Sequence, residues 1–236
     1  MERIQKVIAK AGICSRRKAE ELLLAGRVKV NGVVCNTLGT SVGENDEIEV
    51  DGVKLQKQEE KVYYLFNKPK NCVTTVKDDR NRPTVMDYFK DVKERIFPIG
   101  RLDFDTTGAL LFTNDGDLAN KLIHPRYSVE KVYVVCAKGK LTSKQMIQLE
   151  RGVEIEGGIA KAKRALITKV NESKGYSMLE ITVVEGRNHL IKHMVSSIGS
   201  EVYKLNRKSF AGISIENLEE GKYRELTKEE IEKLIK

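Results

Sequence analysis

The chain has 236 residues, with 42 Lys+Arg against 34 Asp+Glu and a net charge of +8. At 40% hydrophobic residues it is too apolar for a disordered chain, no apolar run approaches the roughly 18–20 residues of a bilayer span, and Met1-Glu2-Arg3-Ile4 opens without an apolar signal core, so export is not expected. Cys14, Cys35, Cys72 and Cys136 lie at least 21 residues apart with no Cys-x-x-Cys pair, which leaves a zinc knuckle unsupported and suits reduced thiols in a cytoplasm.

The first 30 residues hold eight basic groups and three acidic ones, about five of the eight excess charges. Ile4, Val7, Ile8 and Ala11 follow helical spacing and Gly12 supplies a stop. Ser15 is an N-cap for a second helix whose apolar residues Ala19, Leu22 and Leu23 precede Gly26. Val28-Lys29-Val30, the turn dipeptide Asn31-Gly32 and Val33-Val34 read as a hairpin, and Glu47–Val50 alternates up to a second turn at Asp51-Gly52. Residues 56–61 are polar and aperiodic, and read as a linker. Beyond them the predicted strands are 62–66, 96–99, 109–113, 131–138, 164–170, 177–184 and 213–215, and the predicted helices 116–123, 142–150, 188–198 and 227–235. Thr142-x-x-Gln145 and Thr227-x-x-Glu230 are capping boxes, and Gly175 between strands 164–170 and 177–184 suggests an antiparallel pair. The expectation is an α+β protein. A small helix-helix-strand domain (1–57) and a linker (58–61) precede a larger domain (62–236) on a mainly antiparallel mixed sheet flanked by helices.

Two stretches carry chemistry. Ser15-Arg16-Arg17-Lys18 sits at a helix N-terminus, where backbone N–H groups already favour a phosphate. With Lys10, Gly26-Arg27 and Lys29-Val30-Asn31-Gly32 around it, the stretch resembles the RNA-binding domain first seen in ribosomal small-subunit protein four. The resemblance implies phosphate contacts from Lys10, Arg16, Arg17, Lys18 and Lys29. The second stretch, Phe97–Gly116, places an acidic loop between two apolar strands with a glycine at each side. Its Gly100-Arg101-Leu102-Asp103-Phe104-Asp105-Thr106-Thr107-Gly108 closely resembles the catalytic motif of the ribosomal pseudouridine synthases.

Other segments agree in order. Asn67-Lys68-Pro69-Lys70 resembles that family's Lys-Pro stretch, with Asn71 where glycine is usual; asparagine tolerates the left-handed conformation. His124-Pro125-Arg126-Tyr127 leads to Lys131-x-Tyr133. Glu185–Met194 matches a third signature in part, with Leu190 in place of Gln, Lys192 in place of the commoner Arg, and His193 where Arg is frequent. The resemblance implies isomerisation of uridine to pseudouridine in ribosomal RNA, the large-subunit RNA being favoured by the His-Pro-Arg-Tyr run and Asn188. It assigns the central carboxylate to Asp103 and stacking on the target uracil to Tyr133. Lys192, on the helix from Asn188, is the candidate cation that keeps Asp103 ionised. Arg101 fills the space of the extruded base or holds flanking backbone, and Lys68, Arg126 and Arg187 are further RNA contacts.

The reaction consumes nothing, and neither a P-loop nor a Gly-x-Gly-x-x-Gly fingerprint is present, so no cofactor is expected. His189 and His193 have metal-pair spacing, but no Glu follows His189, so no metal is expected. Two other readings stay open: a non-catalytic ribosomal RNA-binding protein on the same scaffold, and a metal-dependent nuclease using Asp103, Asp105, Asp115 and Asp117. A cytoplasmic monomer without membrane contact is the default.

Overall fold

The computed structural model describes residues 1–55 and 59–235; the first part of the expected linker, at 56–58, lies outside the described residues. The chain packs as two compact units, one of residues 1–62 with 93–95 and 114–116, the other of the remainder.

The first unit follows its local signals. Helices α1 (Ile4–Lys10) and α2 (Arg16–Leu24) are separated by Gly12 at φ +76°, and the Ser15 hydroxyl accepts the Lys18 amide at 3.1 Å as an N-cap. Strands β1 (Val28–Val30), β2 (Val33–Val34), β3 (Ile48–Val50) and β4 (Val53–Lys54) form an antiparallel sheet in the order β2-β1-β3-β4. Asn31 and Gly32, and Asp51 and Gly52, take the paired positive φ values that two-residue hairpin turns need. Ile4, Ile8, Ala19, Leu22, Leu23, Val28, Ile48 and Val50 make its core.

The second unit is built on one large sheet. The strands of its main path are β5 (Tyr63–Lys68), β6 (Thr107–Thr113), β7 (Lys131–Lys138), β10 (Arg164–Asn171), β11 (Tyr176–Val183), β12 (Val202–Phe210) and β13 (Tyr223–Glu225), in the order β10-β11-β7-β12-β6-β5-β13. Off that path, Phe97–Pro98 pairs with β6 and Ile213–Ser214 with β12, where the expected strands 96–99 and 213–215 lie. A short hairpin, β8 (Val153–Ile155) and β9 (Gly158–Ala160), stands apart. Every junction in the long path is antiparallel except β12–β6. Helices α4 (Ser143–Arg151) and α5 (Leu190–Ser197) cover one core, through Leu149, Ile191, Met194 and Val195 against Val135, Leu179 and Ile181. Helices α3 (Gly116–Ile123) and α6 (Lys228–Ile235) cover a second, through Leu118, Leu122 and Leu234 against Leu65, Leu111 and Phe210. Both capping boxes form: Thr142 with Gln145, and Thr227 with Glu230 at 2.9 and 3.2 Å.

The expected α+β class and mainly antiparallel sheet are present. Among the elements not anticipated are the β8–β9 hairpin, β13 and the central strand β12. The last reads Val-Tyr-Lys-Leu-Asn-Arg-Lys-Ser-Phe, and its alternation is broken by a bulge. Val132 and Tyr133 on β7 pair with Ser209 and Arg207, so Lys208 is the extra residue. The expected helix 188–198 starts only at Leu190, because His189 takes the left-handed conformation at its N-cap.

Candidate active site

Four strand residues in a row form the base of the site. Tyr133 on β7 pairs with Arg207 on β12, Arg207 with Gly108 on β6, and Gly108 with Lys68 on β5. Only glycine fits at 108, where φ is +113° and a Cβ would lie 2.3 Å from the Arg207 carbonyl oxygen. This close approach seats the acidic loop, residues 100–106, directly ahead of β6.

The loop backbone is pinned from below. Lys68 is fully buried, and its ammonium donates to the carbonyls of Pro69, Asp103 and Thr106, each at 3.0 Å. Thr74 donates to the Leu102 carbonyl at 2.7 Å and accepts the Leu102 amide at 3.3 Å. The Asn71 amide donates to the Phe104 carbonyl at 2.9 Å, and Asn71 sits at φ +61°, the left-handed position that asparagine supplies in place of glycine. Lys68 is therefore not a phosphate contact. Its head group lies inside the protein, where burial pushes the ammonium below the usual lysine range.

Above this base lies a cleft of about 630 Å³ lined by Arg101, Asp103, Lys131, Tyr133, His189 and Arg207 among others. The Asp103 carboxylate faces two side chains on or beside α5: the Lys192 ammonium, Nζ at 3.6 Å, and the His189 ring, Nε2 at 3.6 Å. Lys192 is shared, because its ammonium also donates to both oxygens of Asp105 at 2.7 and 2.9 Å. That bond holds the Asp105 carboxyl below the usual carboxylate range. On the floor, Lys131 and Arg207 are buried. Burial first, then repulsion from Arg207, pushes Lys131 down to about 8.

The structure places Arg101, Asp103 and Tyr133 on one cleft, with Lys192 beside Asp103. Arg187 also lines the cleft, but its donors are taken. It binds both Glu185 oxygens at 2.6 and 3.0 Å and the Gly157, Gly158 and Ile159 carbonyls at 2.8–3.1 Å. It is a clamp on the β8–β9 hairpin and has no free N–H fork for RNA. Leu190 is buried in the core that α5 covers, which explains how this position dispenses with a polar side chain. Arg126 is exposed in the short turn after α3, with its guanidinium over the Tyr127 ring. In the first unit, Arg16, Arg17 and Lys29 are exposed, Lys18 pairs with Glu21 at 2.7 Å, and Lys10 pairs with Glu2 at 2.8 Å. Sequence reasoning missed Arg207 and Thr74, which no local pattern marks, and passed over Lys131 although it stands two residues before Tyr133. The aspartates of the nuclease reading do not converge: among the described residues, no group of three or more His, Cys, Asp or Glu could hold a metal, and Asp115 is buried and paired with Lys61.

A mixed sheet presents a carboxylate loop over a cleft of about 630 Å³, and a separate unit carries Arg16, Arg17 and Lys29 exposed; comparison with known proteins identifies the class of enzyme. Residues 62–197 match the model of RNA pseudouridylate synthases, and residues 2–48 match the S4 domain. The chain belongs to the RNA pseudouridylate synthase family and is an isomerase. It is 46% identical to ribosomal large subunit pseudouridine synthase B of Bacillus subtilis, over 99% of this chain and 96% of that one. It is 44% identical to an RNA pseudouridine synthase of Aquifex aeolicus, over 99% and 94%. A pseudouridylate synthase crystal structure matches with a TM-score of 0.69 at 30% identity, covering 99% of this chain and 100% of the other. Among the described residues, no helix is long and apolar enough to cross a membrane.

Proposed function

We propose that this chain converts a uridine of large-subunit ribosomal RNA to pseudouridine, with Asp103 as the catalytic carboxylate. The observation that carries the reading is the Asp103 side chain, held by a pinned backbone in the cleft between Lys192 and His189. The name of the Bacillus subtilis relative favours the large-subunit RNA.

The target nucleotide leaves its helix or loop at a cost of a few kcal/mol, and stacking of the uracil on Tyr133 returns roughly 1–3 kcal/mol. Arg101, exposed at the cleft rim, occupies the vacated space or holds adjacent backbone. Lys192 sets a positive charge 3.6 Å from the Asp103 carboxylate. The carboxylate then acts at the sugar carbon as the glycosidic bond breaks. The uracil turns and rejoins that carbon through C5; no redox partner takes part. Residues 1–57 act as the RNA-binding domain, with Arg16, Arg17 and Lys29 as phosphate contacts and Lys10 and Lys18 supporting them, and residues 62–236 act as the catalytic domain. The protein works as a monomer in the cytoplasm, where its RNA is assembled.

Asp103→Asn tests the reading. Chemical mapping of pseudouridine in both ribosomal RNAs is expected to lose one site, while the variant still binds its RNA. Pseudouridine formation at the wild-type rate by Asp103→Asn would overturn it.

A further inference from the structure

The floor of the cleft carries two cations that the reaction as described leaves unused. Lys131 and Arg207 are 8% and 3% exposed, and both line the cleft. Ladder partners share a sheet face, so the pairs Lys131–Phe210 and Tyr133–Arg207 place all four residues on one face. The bulge at Lys208 makes this possible, since Arg207 and Phe210, three apart, would otherwise point to opposite sides.

The hydrogen-bond partners of the two cations are neutral. Lys131 donates to the Val129 carbonyl at 3.0 Å and Arg207 Nε to the Ala109 carbonyl at 2.7 Å. One terminal nitrogen of Arg207 is buried with no partner. Glu185, whose field favours charged Lys131, is itself held by two hydrogen bonds from Arg187. Both cations lie over the Phe210 ring, its centroid 5.4 Å from Lys131 Nζ and 4.8 Å from the Arg207 guanidinium carbon. An aromatic face offsets part of the cost of burial. Even so, two like charges buried with no salt bridge of their own among the described residues are costly, and an apolar pair of similar volume is generally the more stable choice. A site built this way is preorganised for negative charge that arrives later.

We propose that Lys131 and Arg207 form an anion-stabilising floor that takes up the negative charge uracil acquires when its bond to the sugar breaks. The assignment rests on the reading above, in which the base stacks on Tyr133. That placement turns the edge of the base, not a backbone phosphate, toward the floor. As the C1′–N1 bond breaks, its electron pair leaves on the uracil and spreads to the two carbonyl oxygens. Asp103 counters the positive character left at C1′. C5 then forms the new bond to C1′, the C5 proton leaves, and N1 takes up a proton. Charge on the uracil exists only between the two bond changes, so the floor acts on the rate and not on RNA binding.

The charged or titratable groups lining the cleft with Lys131 are Arg207 on β12, Glu185 and Arg187 on the segment after β11, and Arg101, Asp103 and His189 on the walls. With Lys131 losing its charge near pH 8, the wild-type single-turnover rate on a saturating ribosomal RNA fragment is expected to fall as pH rises above that value. Lys131→Arg, which stays charged, is expected to hold its rate at alkaline pH. Lys131→Met is expected to lower the saturating rate at pH 7 by about 10²–10³-fold while leaving RNA affinity and its salt dependence unchanged. A wild-type rate that stays flat to pH 10, or full activity in Lys131→Met, would overturn the inference. So would weaker RNA binding with a shallower salt slope and an unchanged saturating rate, which would make the pair a phosphate contact. Asp103→Asn run in parallel separates the two levels. If it forms pseudouridine, the catalytic reading has failed; if it is inactive while Lys131→Met is not, only the floor has.

Discussion

Lys68→Met removes the ammonium that pins the catalytic loop while keeping the length and volume of the aliphatic stem. Three carbonyls lose a charged donor at 3.0 Å. They are not equally exposed to the loss. The Asp103 carbonyl keeps the Thr106 amide at 3.1 Å, and the Pro69 carbonyl keeps a weak contact from the Cys72 thiol at 3.6 Å. The Thr106 carbonyl bears most of the effect, and an unsatisfied buried acceptor costs about 1–3 kcal/mol. Relief of the buried charge offsets part of what the other two lose, so the net destabilisation is about 2 kcal/mol. For a domain of this size that corresponds to a fall in melting temperature of roughly 4–8 °C. Activity is expected to fall far more, because displacement of a catalytic group by about 1 Å can cost about 100-fold. Thermal melts and single-turnover pseudouridine formation on the same RNA measure both effects. A variant with the wild-type melting temperature and rate would refute the claim that the Lys68 ammonium positions Asp103.

Three further outcomes follow from the geometry. Gly108→Ala places a Cβ 2.3 Å from the Arg207 carbonyl oxygen at a φ of +113°; a loss above about 4 kcal/mol is expected from such a backbone clash, read as a lower urea midpoint. Asp105→Asn removes a carboxyl that Lys192 holds below its ordinary value of 3.8. A depressed carboxyl contributes its stability above the unfolded value and loses it as pH falls through the folded one. The wild type should therefore melt slightly above the variant near neutrality, by under about 1 kcal/mol for so exposed a pair, and the difference should vanish in acid. Replacing Arg16 and Arg17 with alanine should weaken RNA binding regardless of target sequence and reduce the salt slope by about 0.7–0.9 per lost phosphate contact, with the saturating rate unchanged.

What the chain determines locally is legible in its sequence. The caps at Ser15, Thr142 and Thr227, the turns at Asn31-Gly32 and Asp51-Gly52, and the left-handed position at Asn71 depend on neighbours a few residues away, so residue type alone specifies them. The acidic loop and its family likeness were equally plain, because Asp103 is flanked by glycines and apolar strands in one continuous run. Tertiary structure decided the rest. Strand β12 carries Lys204, Asn206, Arg207 and Lys208, and its bulge erases the alternation by which a strand is recognised. Arg187 and Lys68 look like surface cations in sequence. Their heads are consumed by carbonyls that only folding brings near: Gly157, Gly158 and Ile159 for one, Asp103 and Thr106 for the other. Lys192 was assigned to Asp103, but the fold divides it between two carboxylates. Local chemistry determined which residues could act; which cation meets solvent, which meets a carboxylate and which is buried beneath the cleft was set by pairings across the sheet, between residues as far apart as Gly108 and Arg207.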